Sequence, residues 1–272
     1  LRWLAVPVLL AVIGAGVGVL VLRSQWLRGR ILTRILEEVE RATGGKASLE
    51  PFDFHWSAME VSTGAFVLRG KEEANRAPLF RAKSVRLGLT VHSWLDRNVE
   101  LRAVTVDGPE VHIYVAPDGT TNLPEPKVPT AGGNPVEDLI RLKIGLLDVK
   151  QGVFEYDSRQ VPFATRAEGL DLSLKYDRTG PRYRAELKAK QVDLPGGFHP
   201  RLEAKARLEA NEVWIESSKL QWGDSHVEVD GPVRNFRHPH VDLNVQAAVL
   251  MRDIPDNPVA EGFGTFSGRA SY

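Results

Sequence analysis

Apolar and polar positions alternate along most of the chain, and one segment shows the pattern most clearly. Val104 and Val106 alternate with polar neighbours, and after the Asp-Gly-Pro step at residues 107–109 the alternation resumes with Val111 and Ile113. A period of two residues between Gly, Pro and Asp is typical of antiparallel strands with one apolar and one solvated face. The segment therefore predicts a β-hairpin whose turn lies at residues 107–109.

The same alternation continues through the rest of the chain and predicts a mainly β protein. Leu187 and Leu208 belong to two runs in which apolar residues alternate with charged ones. Two more strand–turn–strand segments, residues 144–156 and 217–231, are similar to the first predicted hairpin. Their irregular spacing favours a loose succession of hairpins over a fixed-period repeat.

Such strands can hide their apolar face in two ways. Two sheets can close a core between them, as in a β-sandwich, or one antiparallel sheet can curve into a trough. Many inner positions are alanine, including Ala185, Ala204 and Ala206, and small side chains leave room in a trough. The predicted fold is therefore a mainly β protein with a curved antiparallel sheet that forms a hydrophobic groove. A β-sandwich is the alternative.

The N-terminal segment predicts a membrane anchor. Residues 3–22 carry no charge and are followed at once by Arg23. At about 1.5 Å per helical residue this stretch spans about 30 Å, the thickness of a bilayer's hydrocarbon core. Trp3 and Leu22 end the stretch and Trp26 follows it, and indole rings favour the headgroup region. We expect a transmembrane helix in residues 1–23. A cleaved signal peptide is the alternative, although no small-residue cleavage site follows.

An amphipathic helix is predicted next, in residues 24–45. Leu27, Ile31 and Ile35 recur every four residues, with arginines between them and Glu37 and Glu38 after them, and two glycines end the segment. The helix could lie on the membrane surface or cover one end of a sheet. The mixed charge of its polar face favours the second placement, since surface-binding helices are usually basic.

A linker divides the predicted β region. Residues 123–138 hold several prolines and an adjacent pair of glycines, a composition typical of an extended connection. We therefore expect a first β unit in residues 46–122 and a second in residues 139–272. The second unit still alternates at the end of the sequence, so we expect it to continue in a longer protein.

Composition excludes several classes of function. The 35 basic and 35 acidic residues balance, whereas a nucleic-acid-binding protein normally shows a basic excess. The absence of cysteine excludes a disulfide scaffold, a thiol nucleophile and a cysteine zinc site.

Two polar clusters are candidate chemical sites. Ser225 follows Gly-Asp, as a hydrolase serine can, but a hairpin turn explains it better because no helix follows. His238, His240 and Asp242 could ligate a metal, but scattered histidines make this proximity ordinary. We therefore predict no catalysis, no metal and no cofactor. Asp118 and Asn122 are interpreted as turn-forming residues.

One motif resembles a known family. The pattern is Leu101-x-x-Val104-x-Val106-x-Gly108-Pro109-x-Val111-x-Ile113, followed by Asp118-Gly119-Thr120-Thr121-Asn122-Leu123. It resembles the AsmA-like family of bridge-like lipid transfer proteins, which includes AsmA and TamB of the Gram-negative envelope. The order of a membrane helix, an amphipathic helix ending in a Thr-Gly-Gly step at residues 43–45, and long alternating strands is similar as well.

This resemblance implies a sheet curled into a groove that guides phospholipid between the inner and outer membranes. It also implies a periplasmic β region, although Arg23, Arg28, Arg30 and Arg34 after the predicted anchor would alone suggest the opposite orientation. We expect acyl chains to be bound by area, without any single decisive contact. The candidate groove residues are Val104, Val106, Val111, Ile113, Leu187 and Leu208. The alternative is an anchored module that assists outer-membrane protein assembly through open strand edges.

Overall fold

A computed structural model describes residues 25–55, 57–89, 101–125, 136–137, 140, 143–236, 239–257 and 261–271. Helix α1 is Gln25–Thr43, and a short 3₁₀ turn is Met251–Asp253. The strands are β1 (Lys46–Leu49), β2 (Phe52–His55), β3 (Glu60–Thr63), β4 (Phe66–Arg69), β5 (Phe80–Ala82), β6 (Ser84–Leu89), β7 (Leu101–Asp107), β8 (Glu110–Val115), β9 (Leu146–Ser158), β10 (Phe163–Asp177), β11 (Arg182–Ala189), β12 (Gln191–Asp193), β13 (Arg201–Glu209), β14 (Glu212–Trp222), β15 (Ser225–Arg234), β16 (His240–Leu250) and β17 (Phe263–Ser271).

The strands of the described residues form one open sheet, which confirms the predicted mainly β class. No second sheet packs on the first within that part of the chain, so the sandwich alternative is not what forms. The predicted purely antiparallel pairing is wrong at one place. Both β7 and β8 run parallel to β9, because a long crossover and not a tight turn connects β8 to β9.

The predicted amphipathic helix is present as α1. Gly44 follows it with φ 77° and donates its N–H to the Glu40 carbonyl at 2.8 Å. This is the left-handed residue that commonly ends a helix. The Glu40 carboxylate then accepts the Ala47 N–H at 3.0 Å, which ties the last turn of α1 to the start of β1.

Several pairs of consecutive strands are the two halves of one long, bent strand. β1 pairs with β4 and β2 with β3, so that Leu49 lies opposite Phe66 and Phe52 opposite Thr63. The next two bent strands, β5 with β6 and β7 with β8, continue the same arrangement. Each long strand therefore keeps one neighbour along its length but breaks near its middle.

Two of the three predicted hairpins are wrong, because the chain bends at the predicted turn and continues in the same direction. β7 and β8 do not pair with each other at residues 107–109, since both pair with β9. Residues 146–158 likewise form the single strand β9, with Gln151 at φ 56°. Gly, Pro and positive φ mark β-bulges as well as turns. The third hairpin is confirmed, because Trp222 pairs with Ser225 across a two-residue turn.

The breaks of neighbouring strands lie side by side and form a line that we call the crease. It crosses the sheet at Glu50-Pro51, Gly64-Ala65, Lys83, Gly108-Pro109, Gln151-Gly152, Gly169 and Lys190. Backbone hydrogen bonds join adjacent breaks: the Lys83 N–H reaches the Asp107 carbonyl at 3.0 Å, and the Gly108 N–H reaches the Lys150 carbonyl at 2.8 Å. Because a bulge bends its strand and increases its twist, the crease bends the sheet along one line.

The crossover between β8 and β9 ends in helical residues that pack on the sheet. Val136, Glu137 and Ile140 are helical, and Ile140 is buried against Leu174 and Tyr183. The predicted extended linker is therefore helical at Val136 and Glu137, its last two described residues. The predicted division into two β units stays a prediction, and strands on both sides of residues 123–138 belong to one sheet.

The crease glycines make a testable point about stability. Gly108 has φ +54°, and an added Cβ would lie 2.7 Å from Lys83 Cδ. We expect Gly108→Ala to lower the free energy of unfolding by roughly 1–3 kcal/mol, because a non-glycine residue is strained in this conformation. Denaturant titration measures the change. Gly180→Ala is the control, since its added Cβ would meet only the Arg182 guanidinium, 3.9 Å away. Equal stability of the two variants would contradict the strain.

Candidate functional site: the apolar face of the sheet

A row of apolar residues follows each side of the crease. Residues paired in register point to the same face of a sheet, so the rows can be followed from strand to strand. The first row is Phe52, Thr63, Val85, Val106, Val149, Leu172, Leu187 and Ala204. The second row is Ala47, Leu68, Phe80, Val111, Phe154, Ala167 and Val192. Thr63 is the single polar member.

The extra residue at the crease keeps both rows on one face. Val106 and Val111 are five positions apart, as are Val149 and Phe154, where strict alternation would require an even number. The bulge absorbs the odd residue. The two rows therefore form one apolar face on both sides of the crease.

The structure brings the predicted groove residues together on this face. Val104 pairs with Leu87 and Leu147, and Ile113 pairs with Tyr156. Leu208 pairs with Tyr183 and Val213. The six side chains are half-buried: Val104, Val106, Val111, Ile113, Leu187 and Leu208. They keep part of their surface, which an apolar ligand could cover.

One group of fully buried residues on this face lies under the crossover, and Val115, Ala167 and Ala189 are buried elsewhere on it. Ile140, Leu174 and Tyr183 form a buried cluster, and Leu147 and Leu208 pack against it. Burial raises the pKa of Tyr183, because a phenolate would be poorly solvated there, and a hydrogen bond with the Ile144 backbone partly opposes this shift. The crossover thus forms a fixed wall along one side of the apolar face.

Sequence reasoning missed this wall, although a signal was present. Val136, Ile140 and Ile144 are spaced four residues apart, which is the spacing of a helical apolar stripe. The prolines and glycines earlier in the same segment drew attention to a linker instead.

The opposite face is charged and internally paired. Arg81 donates to Glu110 at 2.8 Å, and this hydrogen bond holds the pKa of Glu110 below its usual value. Lys219 and Glu228 are 3.2 Å apart. A hollow of about 560 Å³ is lined by charged residues, including Glu186, Lys188, Glu203, Lys205, Lys219 and Glu228, and also by Leu187, Ala204 and Ser218. Because its charges alternate in sign, it offers no site for a ligand of one charge.

The two predicted turn residues differ in importance. Asp118 Oδ1 accepts hydrogen bonds from the Thr120 N–H and hydroxyl at 3.0 and 2.7 Å, as in an Asx turn. Asn122 is buried. Its Oδ1 accepts the Tyr114 N–H at 2.9 Å, and its Nδ2 donates to the His112 carbonyl at 2.8 Å. Asn122 thus holds the loop after β8 against β8 itself.

The hydrogen bonds of Ser225 stabilise the fold. Its hydroxyl donates to Asp253 Oδ2 at 2.7 Å and accepts the Leu250 N–H at 2.8 Å. The first bond holds the pKa of Asp253 below its usual value. Because Asp253 also accepts the Asp224 N–H at 2.9 Å, these bonds attach the 3₁₀ turn to the β14–β15 hairpin.

The candidate metal residues are not brought into a cluster. Asp242 pairs with Arg269 and His240 begins β16, whereas His238 lies outside the described residues. Among the residues that the structure describes, no group of three His, Asp or Glu side chains could hold a metal ion.

No helix within the described ranges is both long and apolar enough to cross a bilayer. The predicted anchor in residues 1–23, including Trp3 and Leu22, lies outside those ranges, whereas Trp26 lies in α1.

The chain matches no protein-family model and no curated protein. The resemblance to the AsmA-like family therefore rests on the sequence motif and the predicted order of elements alone.

Asn122 gives a prediction about the loop after β8. We expect Asn122→Ala to lower the free energy of unfolding by roughly 2 kcal/mol, because it removes the partners of the half-buried Tyr114 N–H and His112 carbonyl. Denaturant titration is again the measurement. Asp118→Ala, at a solvent-exposed position in the same loop, should have the smaller effect. The reverse order would show that the Asx turn, and not Asn122, holds the loop.

Ile140 gives a prediction about the crossover. We expect Ile140→Ala to lower the free energy of unfolding by roughly 2–5 kcal/mol, since it removes buried methyl groups from the Leu174–Tyr183 cluster. Val161→Ala is the matched control, because Val161 is exposed. A similarly small effect of both variants would mean that the crossover does not pack on the apolar face.

Proposed function

We propose that this protein is an anchored lipid-binding protein that holds phospholipid acyl chains on the apolar face of its sheet. The chains would lie along the crease and be guided away from the bacterial inner membrane, toward the outer membrane. The bulk of the chain would be periplasmic, as the AsmA-like resemblance implies. The proposal includes no catalysis, no cofactor and no nucleic acid.

The observation that carries the proposal is the continuity of the two apolar rows. Neither row contains a charged residue: the first runs from β2 to β13 and the second from β1 to β12. The first row crosses eight neighbouring strand positions, which at about 4.8 Å per strand is roughly 34 Å. One leaflet's acyl chains occupy roughly 15 Å, half of a bilayer's hydrocarbon core. The face is therefore long enough to hold a whole chain.

The burial pattern also supports lipid binding. Outside the crossover wall, residues such as Val85, Val106 and Leu187 remain half-buried. A contiguous apolar surface of this kind in a charged protein marks an interaction site. Each square ångström that an acyl chain covers contributes about 25 cal/mol, so affinity would come from area.

Site-specific photo-crosslinking tests the proposal. A photoreactive residue at Val106 or Ile113 should crosslink to phospholipid in cells and in the purified protein. The control is Glu203 on the charged face, which is solvent-exposed and should give no lipid adduct. Native mass spectrometry should also find co-purifying phospholipid. Adducts that are absent from Val106 and Ile113, together with a lipid-free protein, would overturn the proposal.

A second candidate function is favoured by strand β17. Among the described residues β17 pairs only with β16, and its Phe263 and Phe266 are the most exposed aromatic side chains. An open strand edge can accept another strand, as an outer-membrane assembly module would. A photoreactive residue at Phe263 distinguishes the two functions: adducts with outer-membrane proteins favour the module, and phospholipid adducts at Val106 favour the groove.

A further inference from the structure

The ends of the strands form two opposite rims that differ in chemistry. We call near rim the edge at which α1 ends and β1 begins, close to Gly44 and Lys46. The register places the loops at residues 70–79, 116–122 and 159–162 at the same edge. The far rim carries the turns at residues 57–59, 178–181, 210–211 and 235–236, and among the described residues Trp214 is the one exposed large hydrophobic side chain close to it.

Part of the near rim projects beyond its neighbours. The β9–β10 hairpin continues for four more residue pairs after Phe154 and Ala167, as far as Ser158 and Phe163. At about 3.3 Å per residue this is an extension of roughly 13 Å. The end of β8 runs alongside it as far as Val115. We call this projection, residues 113–123 and 156–165, the tongue.

The apolar face continues onto the tongue and ends in exposed side chains. Ile113 pairs with Tyr156, and the Tyr156 and Phe163 rings are 6.2 Å apart. Phe163 is 40%, Leu123 43% and Val161 65% exposed. Among the described residues, these three are half of the six exposed large hydrophobic side chains. Phe263, at the start of β17, is a fourth on the near rim.

We propose that the tongue inserts into the surface of a lipid bilayer. Single exposed apolar side chains are ordinary, but here they gather on the one rim from which α1 leaves the sheet. The 19 residues of α1 span roughly 28 Å. A membrane that holds the segment before α1 would therefore lie within roughly 28 Å of this rim. The exposed tip would place Val161 and Phe163 among the lipids and make the apolar face continuous with the bilayer interior.

This inference deepens the proposed function, since it identifies where lipid would enter the face. Contact of the tongue with a bilayer does not itself require that the face carries lipid. The two statements can therefore fail separately, and the experiment below separates them.

The test uses the full chain, whose lack of cysteine allows single labels. A small environment-sensitive fluorophore is attached to Val161→Cys on the tongue, to Thr179→Cys on the far rim, or to Ser218→Cys. Ser218 pairs with Ala204 in the first apolar row and reports on that face. Each protein is reconstituted into vesicles of phosphatidylethanolamine and phosphatidylglycerol, some of which carry nitroxide-labelled acyl chains.

We expect strong nitroxide quenching at residue 161, at least several times that at residue 179. Quenching at both 161 and 218 supports docking together with lipid on the apolar face. Quenching at 161 without 218 supports docking and counts against the proposed function. Quenching at 218 without 161 overturns the docking inference and supports the proposed function. A label at 161 that is shielded from aqueous iodide but not quenched by nitroxide would show a protein contact there, and this also overturns the inference.

Discussion

The extra residue that each long strand carries at the crease is the constraint on which the rest of this architecture depends. A single bulge disturbs only its own pair of strands, because the unpaired residue shifts one side of the ladder. Here the neighbouring strand breaks at the matching position, so the register recovers on both sides. Gly108 illustrates the requirement: it has a positive φ, Lys83 lies close to its Cα, and its N–H is bonded to the carbonyl of the next strand. The crease is therefore a property of the whole sheet.

The odd shift at the crease also decides the chemistry of the two faces. In a strand without a bulge, residues an odd number of positions apart point to opposite faces, so the apolar residues beyond the bend would lie on the other face. Because the bulge absorbs one residue, Val106 and Val111 stay on one face while Arg81 and Glu110 stay on the other, where they pair. The cross-strand ion pairs keep one face soluble and leave the other available to an apolar ligand. Surface ion pairs add little stability, so their contribution here is to solubility and register.

Sequence reasoning predicted the class of the fold because alternation depends only on the two-residue period of a strand. It could not separate a turn from a bulge at residues 107–109 or 150–152, since Gly, Pro and positive φ serve both. A local signal did exist: apolar positions five residues apart, as at Val149 and Phe154, fit a continued strand better than a reversal. The sequence does not predict that β7 and β8 pair with β9 in parallel, because that pairing depends on where the long crossover returns to the sheet. The six groove candidates lie on one face of the sheet because they follow the alternation. The wall formed by Ile140 and Ile144 was missed because its helical spacing lies inside a segment with linker composition.

The crossover explains why a sheet with so few buried side chains can still hold an apolar face in water. Small domains are stabilised by a core, and here Ile140, Leu174 and Tyr183 supply one locally. Tyr183 is hydrogen-bonded to the Ile144 backbone. A directional hydrogen bond therefore holds the wall in place in addition to apolar packing. With this local core in place, the rows beyond it can remain half-exposed. A fully covered face would be more stable but would leave no surface for a ligand, and a face with no wall would give an acyl chain nothing to pack against from the side.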